Sequence, residues 1–387
     1  MRQTSSVRVA LSGLLTLAVA MGIGRFAFTP LLPMMEKDTG LSLARGGWLA
    51  TANYLGYFLG ALSAIRLRFA PSRIVLVSLL AIGGLTAAMG VTDDQAAWLV
   101  LRGLAGVASA WALIFASAWG LQVLAAAGAS RLTGVMYASV GFGIALTGVL
   151  CLVFFGLGWS AAQVWIALGT VAWLLTFLAA PGFRAAPPPA PAGMHTPAAP
   201  PAPRAAHTAL RPVIAYSLFG FGYILPATFL PAMAKRLIAD PALFGWAWPV
   251  FGLAALGSTL IAGRLLRRFS NRILWGTGHL VMGIGVIMPV ILPDMLGIIL
   301  SAICVGGTFM VITFAAMQEA RCVAPAHPAR LMAQLTAAFA IGQILGPLLV
   351  SLLPPGPHTL DALLSVAAAL LMLSGIGLLR ARQPRAS

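Results

Sequence analysis

The sequence predicts an all-α, polytopic membrane protein with twelve transmembrane helices, arranged as two pseudo-symmetric bundles of six. Three observations lead there. Of 387 residues, 60% are hydrophobic and 8% charged, where a soluble domain carries about 25% charged residues. The apolar residues gather in twelve separated runs of about 20, each long enough at about 1.5 Å per residue to cross a hydrocarbon core of about 30 Å. A stretch rich in Pro and Ala divides the runs six and six. A barrel is excluded, because its strands alternate polar and apolar every second residue and these runs are apolar all round.

Spans are expected at 9–33, 44–65, 74–91, 96–120, 131–155, 160–180, 210–233, 243–265, 273–292, 295–318, 331–353 and 360–380. The first follows Arg2 and Arg8 and carries Gly22-Ile23-Gly24-Arg25, then Leu32-Pro33-x-Met35. Its basic start and Ala18-Val19-Ala20 have the look of a cleaved signal peptide. The seventh span argues otherwise, because it repeats the segment as Gly220-Phe221-Gly222-Tyr223 and Leu230-Pro231-x-Met233, with the proline nine positions after the second glycine in both copies. The second span places Asn53 and Tyr57 on one face and Gly56 and Gly60 on an adjoining one. The third lies between Arg66, Arg68 and Arg73 and the acids Asp93 and Asp94. The fourth holds Arg102, the fifth Tyr137 and Cys151. After the sixth, nine prolines between Pro181 and Pro203 give a segment that cannot bury a core and favours extended polyproline II, so 181–209 reads as a linker between bundles at 1–180 and 210–387. Arg268-Phe269 and Arg272 follow the eighth span as Arg68-Phe69 and Arg73 follow the second. Parallel repeats of this kind imply two bundles related by an axis along the membrane normal. The ninth span carries His279, the tenth ends near Glu319 and Cys322, and the eleventh contains Gly342, Gln343, Gly346 and Pro347.

A formal charge of +16 and a pI near 11.5 would suggest nucleic acid in a soluble protein. Here the basic residues report topology instead. With the N-terminus inside, 18 of them face the cytoplasm and only Lys37, Arg45, Lys235 and Arg236 face out, while Glu36, Asp38, Asp93, Asp94, Asp240 and Asp294 lie outside and Asp361 near an external helix end. That split places both termini in the cytoplasm. The partners read from the residues begin with the lipid bilayer. Nucleic acid is not among them, and the chain is expected to act as a monomer. Cys151, Cys304 and Cys322 sit within or beside apolar runs and offer no external disulfide framework.

The segment after the eighth span, Ala262-Gly263-Arg264-Leu265-Leu266-Arg267-Arg268-Phe269-Ser270-Asn271-Arg272, is similar to the Gly-x-Leu-x-Asp-Arg-x-Gly-Arg-Arg signature of the major facilitator superfamily, with Arg267 in place of the aspartate and Ser270 of a glycine. Gly60, Arg68 and Arg73 resemble the same loop in the first half. Arg102-x-x-x-Gly106-x-x-x-Ala110 is similar to the superfamily's helix-4 arginine motif, and Gly342-x-x-x-Gly346-Pro347 to its Gly-Pro motif. Residues 22–33 and 52–60 resemble the YbfB/YjiJ-type branch. The resemblance implies secondary transport of a small-molecule substrate by rocker-switch alternating access, with a proton as the candidate coupling ion, in a bacterial cytoplasmic (inner) membrane. It further implies a part for Arg102 in coupling or conformational change, flexing at Gly342, Gly346 and Pro347, and a pair between Glu319 and Arg268 or Arg272 that helps hold the cytoplasmic side closed.

Arg25 is the sharpest signal read from the residues themselves. Near mid-span an arginine costs at least about 2.5–3.5 kcal/mol unless it faces water or a partner. No acid lies at matching depth, so the guanidinium either takes an anionic group of a solute or bonds backbone carbonyls freed by Gly22, Gly24 and Pro30. Tyr223 as its repeat counterpart, and Asn53, Tyr57, Tyr137 and Gln343, are the further candidates for substrate binding. A proton-drug antiporter without anion preference and a transporter-like sensor or scaffold are the rival readings, and direction is open between efflux and uptake. No nucleophile–base arrangement, metal cluster or phosphate-cradling loop is present, so no catalytic residue, metal or cofactor is expected and the chain is not read as an enzyme.

Overall fold

The computed structural model describes residues 2–184, 206–238, 240, 244–324, 328–354, 356 and 358–380. Most of the expected linker, 185–205, lies outside the described residues, as do Asp240's neighbours at 239 and 241–243, His327, Arg382 and Arg385. Among the described residues every regular element is helical. Twelve rods follow in order: α1 (Ser6–Thr39), α2 (Leu43–Ala64), α3 (Pro71–Ala88), α4 (Gln95–Ala126), α5 (Ser130–Gly156), α6 (Ala161–Phe183), α7 (Leu210–Leu237), α8 (Ala247–Arg268), α9 (Asn271–Ile291), α10 (Met295–Val323), α11 (Pro328–Leu352) and α12 (Thr359–Arg380). By length and composition eleven can cross a membrane. The twelfth, α2, has 22 residues but dilutes its apolar ones with Arg45, Asn53, Tyr54, Tyr57 and four glycines at 46, 47, 56 and 60.

Local chemistry sets the ends. Side-chain oxygens of Ser42, Asp94, Ser160, Ser270 and Asp294 accept from the first-turn N–H groups of α2, α4, α6, α9 and α10, satisfying donors that a helix start leaves unpaired. Gly40, Gly128 and Gly158 take positive φ after α1, α4 and α5, which lets the chain leave a helix in the left-handed conformation. The signature segment at 262–272 proves to be mostly helix. α8 runs through Arg268, and only Phe269 and Ser270 separate it from α9, because Ser270 already caps the next helix.

α1 is not uniformly wound. Arg2–Leu17 and Phe28–Thr39 are α-helical, but Ala18–Phe26 is π-helical and wholly buried. Pro30 has no N–H for the carbonyls one turn back at Arg25 and Phe26, so the winding there is open to alternatives. Gly22 lies on the backbone of Gly143 in α5 and Gly24 on Ser109 in α4, so closely that a methyl group at either position would overlap its neighbour.

Within each half the helices pack as α2 on α4, α3 on α4 and α6, and α8 and α9 on α10, with α7 on α11 and α9 on α12. The halves meet along two flanks, α5 with α8 and α2 with α11. Small residues allow the approach, Gly141 against Leu256 and Gly252 against Ala145. Between the flanks, Phe28–Thr39 lies on α7, whereas Arg2–Leu17 packs on α4, α5 and α6 of its own half.

Candidate functional site

Two arginines meet at the π-helical turn, and they do different work. Arg102, 3% exposed, reaches from α4 and donates to the carbonyls of Gly24 (3.3 Å) and Arg25 (3.0 Å). It therefore replaces the N–H that Pro30 lacks, and it is no surface arginine snorkelling to an interface. Asn53 on α2 spends its amide on the same knot, donating to the carbonyls of Gly24 (3.2 Å) and Arg102 (2.9 Å). It ties three backbones together instead of lining an open face, and only its Oδ1 lacks a partner.

The carbonyl-bonding role considered for Arg25 thus falls to Arg102, and the Arg25 guanidinium is left for something else. It is 4% exposed and crosses to the other half, where it donates to Gln343 Oε1 on α11 at 2.5 Å. It lies over the rings of Tyr57, Tyr54 and Phe26 at 4.3, 5.1 and 5.3 Å from their centroids, a cation–π arrangement. Its Nε has no partner. All eight acids of the chain stand at or near helix ends or in connections, so the partners of this buried cation are neutral.

Other bonds across the halves surround it. Tyr54 and Thr228 of α7 share a hydroxyl–hydroxyl bond of 3.0 Å, and Thr29 donates to the Ala227 carbonyl at 2.8 Å. Neither Tyr54 nor Thr228 was expected from sequence. Tyr54 carried a readable signal, since it stands three positions before Tyr57 on one helix; Thr228 carried none.

Tyr223 enters from α7, fully buried, its ring stacked on Phe309 of α10 at 4.4 Å and 13°. Phe339 and Phe251 flank it at 6.2 and 6.4 Å, and Trp248 stacks on Phe251 and reaches Phe26 of the first half at 6.2 Å. The Tyr223 hydroxyl is buried without a partner, within the field of the Arg25 charge. Phe339 and Gln343 stand one turn apart on α11, which links this aromatic wall to the guanidinium.

Tyr137 lies elsewhere. It meets Phe314 of α10 edge-on at 6.5 Å near the start of α5, away from the Arg25 cluster. Gly342 and Gly346 face α7, against the Ser217 carbonyl and Ile224, and Pro347 sits within α11 without breaking it. Glu319 pairs with Arg272, while Arg268 is exposed at the end of α8. Both partners belong to the second half, so the pair joins α10 to α9 and does not itself bridge the halves. His279 is fully buried; Trp275 donates to its Nε2 at 2.9 Å and Ser374 lies 3.1 Å from Nδ1, which fixes one neutral tautomer in a packed position.

At the acid-bearing end the halves are latched. Lys235 of α7 donates to the Pro33 carbonyl at 2.6 Å and lies 3.6 Å from Glu36 of α1, and Ser351 donates to Ala44 of α2 at 2.9 Å. Above the latch Glu36, Ser42, Arg236 and Thr359 line a cavity of about 440 Å³. Among the described residues no three His, Cys, Asp or Glu side chains gather as a metal site.

The family model described as "Uncharacterised MFS-type transporter YbfB" matches residues 17–379. No curated protein matches the sequence. Among solved structures, a mutant of the nucleoside transporter NupG aligns with 97% of this chain and 99% of its own, at a TM-score of 0.76 and 12% identity. At that identity the likeness speaks for the fold.

Proposed function

The chain belongs to the YbfB family of MFS-type transporters, and from that premise we propose that it carries a small organic anion, a carboxylate above all, on Arg25 by alternating access. The observation behind this reading is a buried guanidinium whose partners are all neutral, the Gln343 amide oxygen, the Tyr57 side chain in hydrogen-bonding reach and the rings of Tyr57, Tyr54 and Phe26, with Nε unpaired among the described residues. A buried charge without a counter-charge is expensive. A solute carboxylate would neutralise it and match the planar fork of donors, with Gln343 Oε1 as the group it displaces. Anion and arginine then cross the reorientation as a neutral unit.

The arginine-rich end is assigned to the cytoplasm of a bacterial cell, with both termini there. Cross-half bonds lie at the centre and at the acid-bearing end, from Arg25–Gln343 and Thr29–Ala227 to Lys235–Glu36. The conformation is accordingly read as closed outward, with the solute reaching Arg25 from the cytoplasmic side. Arg102 and Asn53 hold α1 in the winding that presents Arg25. The Arg272–Glu319 pair stiffens the cytoplasmic end of the second half, the surface that the first half meets when the inner side closes.

The test is thermal unfolding of the purified protein against a panel of metabolites and drugs, beside Arg25→Ala. Ligand binding to the folded state raises apparent stability. Organic anions should shift the wild type and not the variant. Equal shifts in both would make Arg25 a structural residue.

A further inference from the structure

Beside the Gln343 contact of Arg25 the second half carries a cluster of rings, and two of them have polar tips with nothing to bond. Tyr223, Phe309, Phe339, Phe251 and Trp248 form a continuous wall that meets Phe26 of α1. Within it the Tyr223 hydroxyl and Trp248 Nε1 are buried without partners, as is Arg25 Nε on the opposite side. A wall built only for packing would use phenylalanine at such positions, because an unbonded buried hydroxyl or N–H costs about 1–3 kcal/mol. Polar tips retained inside an aromatic wall mark a place where a partner arrives from outside.

We propose that the anion bound at Arg25 is an aromatic carboxylate, its carboxylate on Arg25 and its ring laid against Phe339 at the edge of the Tyr223–Phe309 stack, with the Tyr223 hydroxyl bonding a polar ring substituent. The assignment rests on the anion reading above and narrows it. The position of Phe339 one turn before Gln343 on α11 supports the geometry. When the carboxylate takes the place of Gln343 Oε1, the body of the solute lies along the face of α11 that carries Phe339, which itself stays partly accessible. Offset or edge-on ring contacts then favour a flat aromatic body over a saturated one of equal size.

The experiment is ligand titration of the thermal stability of the full-length protein with four probes: benzoate, 4-hydroxybenzoate, cyclohexanecarboxylate and benzamide. Both benzoates should bind about tenfold tighter than cyclohexanecarboxylate, and benzamide should give no shift. Tyr223→Phe should weaken 4-hydroxybenzoate several-fold and leave benzoate unchanged. If cyclohexanecarboxylate equals benzoate, the aromatic assignment fails while the anion reading stands. If benzamide equals benzoate, the anion reading fails too. Indifference of every acid overturns both, and a Tyr223→Phe variant that treats the two benzoates as the wild type does removes the hydroxyl from the site.

Discussion

Thr29 donates its hydroxyl to the backbone carbonyl of Ala227 across 2.8 Å and 198 residues of sequence. The same 198 positions separate Gly22 from Gly220 and Pro33 from Pro231. The two residues are therefore counterparts in the two repeats, and equivalent positions touch each other only near the axis that relates the halves. Arg25 and its counterpart Tyr223 stand one turn further along the same helices. The ion and one ring of the aromatic wall, Tyr223, thus occupy one repeat position that has diverged.

Gln343→Glu should place a fixed carboxylate on Arg25. The expected result is a protein at least as heat-stable as wild type that no longer responds to organic anions, while Gln343→Ala keeps the response. Anion-induced shifts surviving in the glutamate variant would show that the solute does not compete for this guanidinium.

Arg102→Lys should be severe despite keeping the charge. A lysine cannot span the adjacent carbonyls of Gly24 and Arg25 with a planar fork, and each charge-assisted bond lost is worth about 1.5–3 kcal/mol. Thermal unfolding should fall well below that of Arg25→Ala. A variant with wild-type stability would mean that α1 holds its π winding unaided.

The pair of Arg272 and Glu319 is half-sheltered, with side-chain exposures of 18% and 11%, so it should count for more than a surface pair. Glu319→Gln is expected to slow transport in reconstituted vesicles, and the swap of Arg272→Glu with Glu319→Arg to recover part of the rate. Failure of the swap to improve on the single variants would count against a gating role.

Lys235→Met removes both latch contacts to α1, at the Pro33 carbonyl and Glu36. With Cys322→Ser to clear the exposed native thiol, a cysteine introduced at Thr51, buried on α2 two turns inside the Ser351–Ala44 contact, should react faster with an impermeant thiol reagent. An unchanged rate would mean that the latch does not control that end.

How far the sequence reached depends on which contacts are local. Span positions and the repeat follow from composition and short-range spacing, and the superfamily resemblance implied a pair of Glu319 with Arg268 or Arg272, of which Arg272 makes it. Arg25 stood out because an arginine amid an apolar run has few explanations. Gln343 was also among the candidates, but its pairing with Arg25 was not legible, because the two are 318 residues apart and a lone glutamine in a span has many potential partners. Asn53 was misplaced for the converse reason. A polar side chain in a helix signals that something must be bonded, and here the obligation lay with backbone carbonyls that only the π winding exposes. That winding has no pattern of its own in the sequence; Gly22, Gly24 and Pro30 permit it, and Arg102 and Asn53 from other helices fix it.

The nine π-wound residues of α1 also decide what kind of mechanical part this helix is. A straight α-helix transmits rotation from end to end as a stiff shaft. A looser coil shares each turn among more residues, so every residue that passes from π to α winding, which advances about 100° per residue, adds a small rotation to everything beyond it. Arg2–Leu17, bedded in the first half, and Phe28–Thr39, lying on the second, are joined through a swivel. Arg25 sits inside that swivel, so any twist between the two segments is felt first as a change in where its guanidinium points.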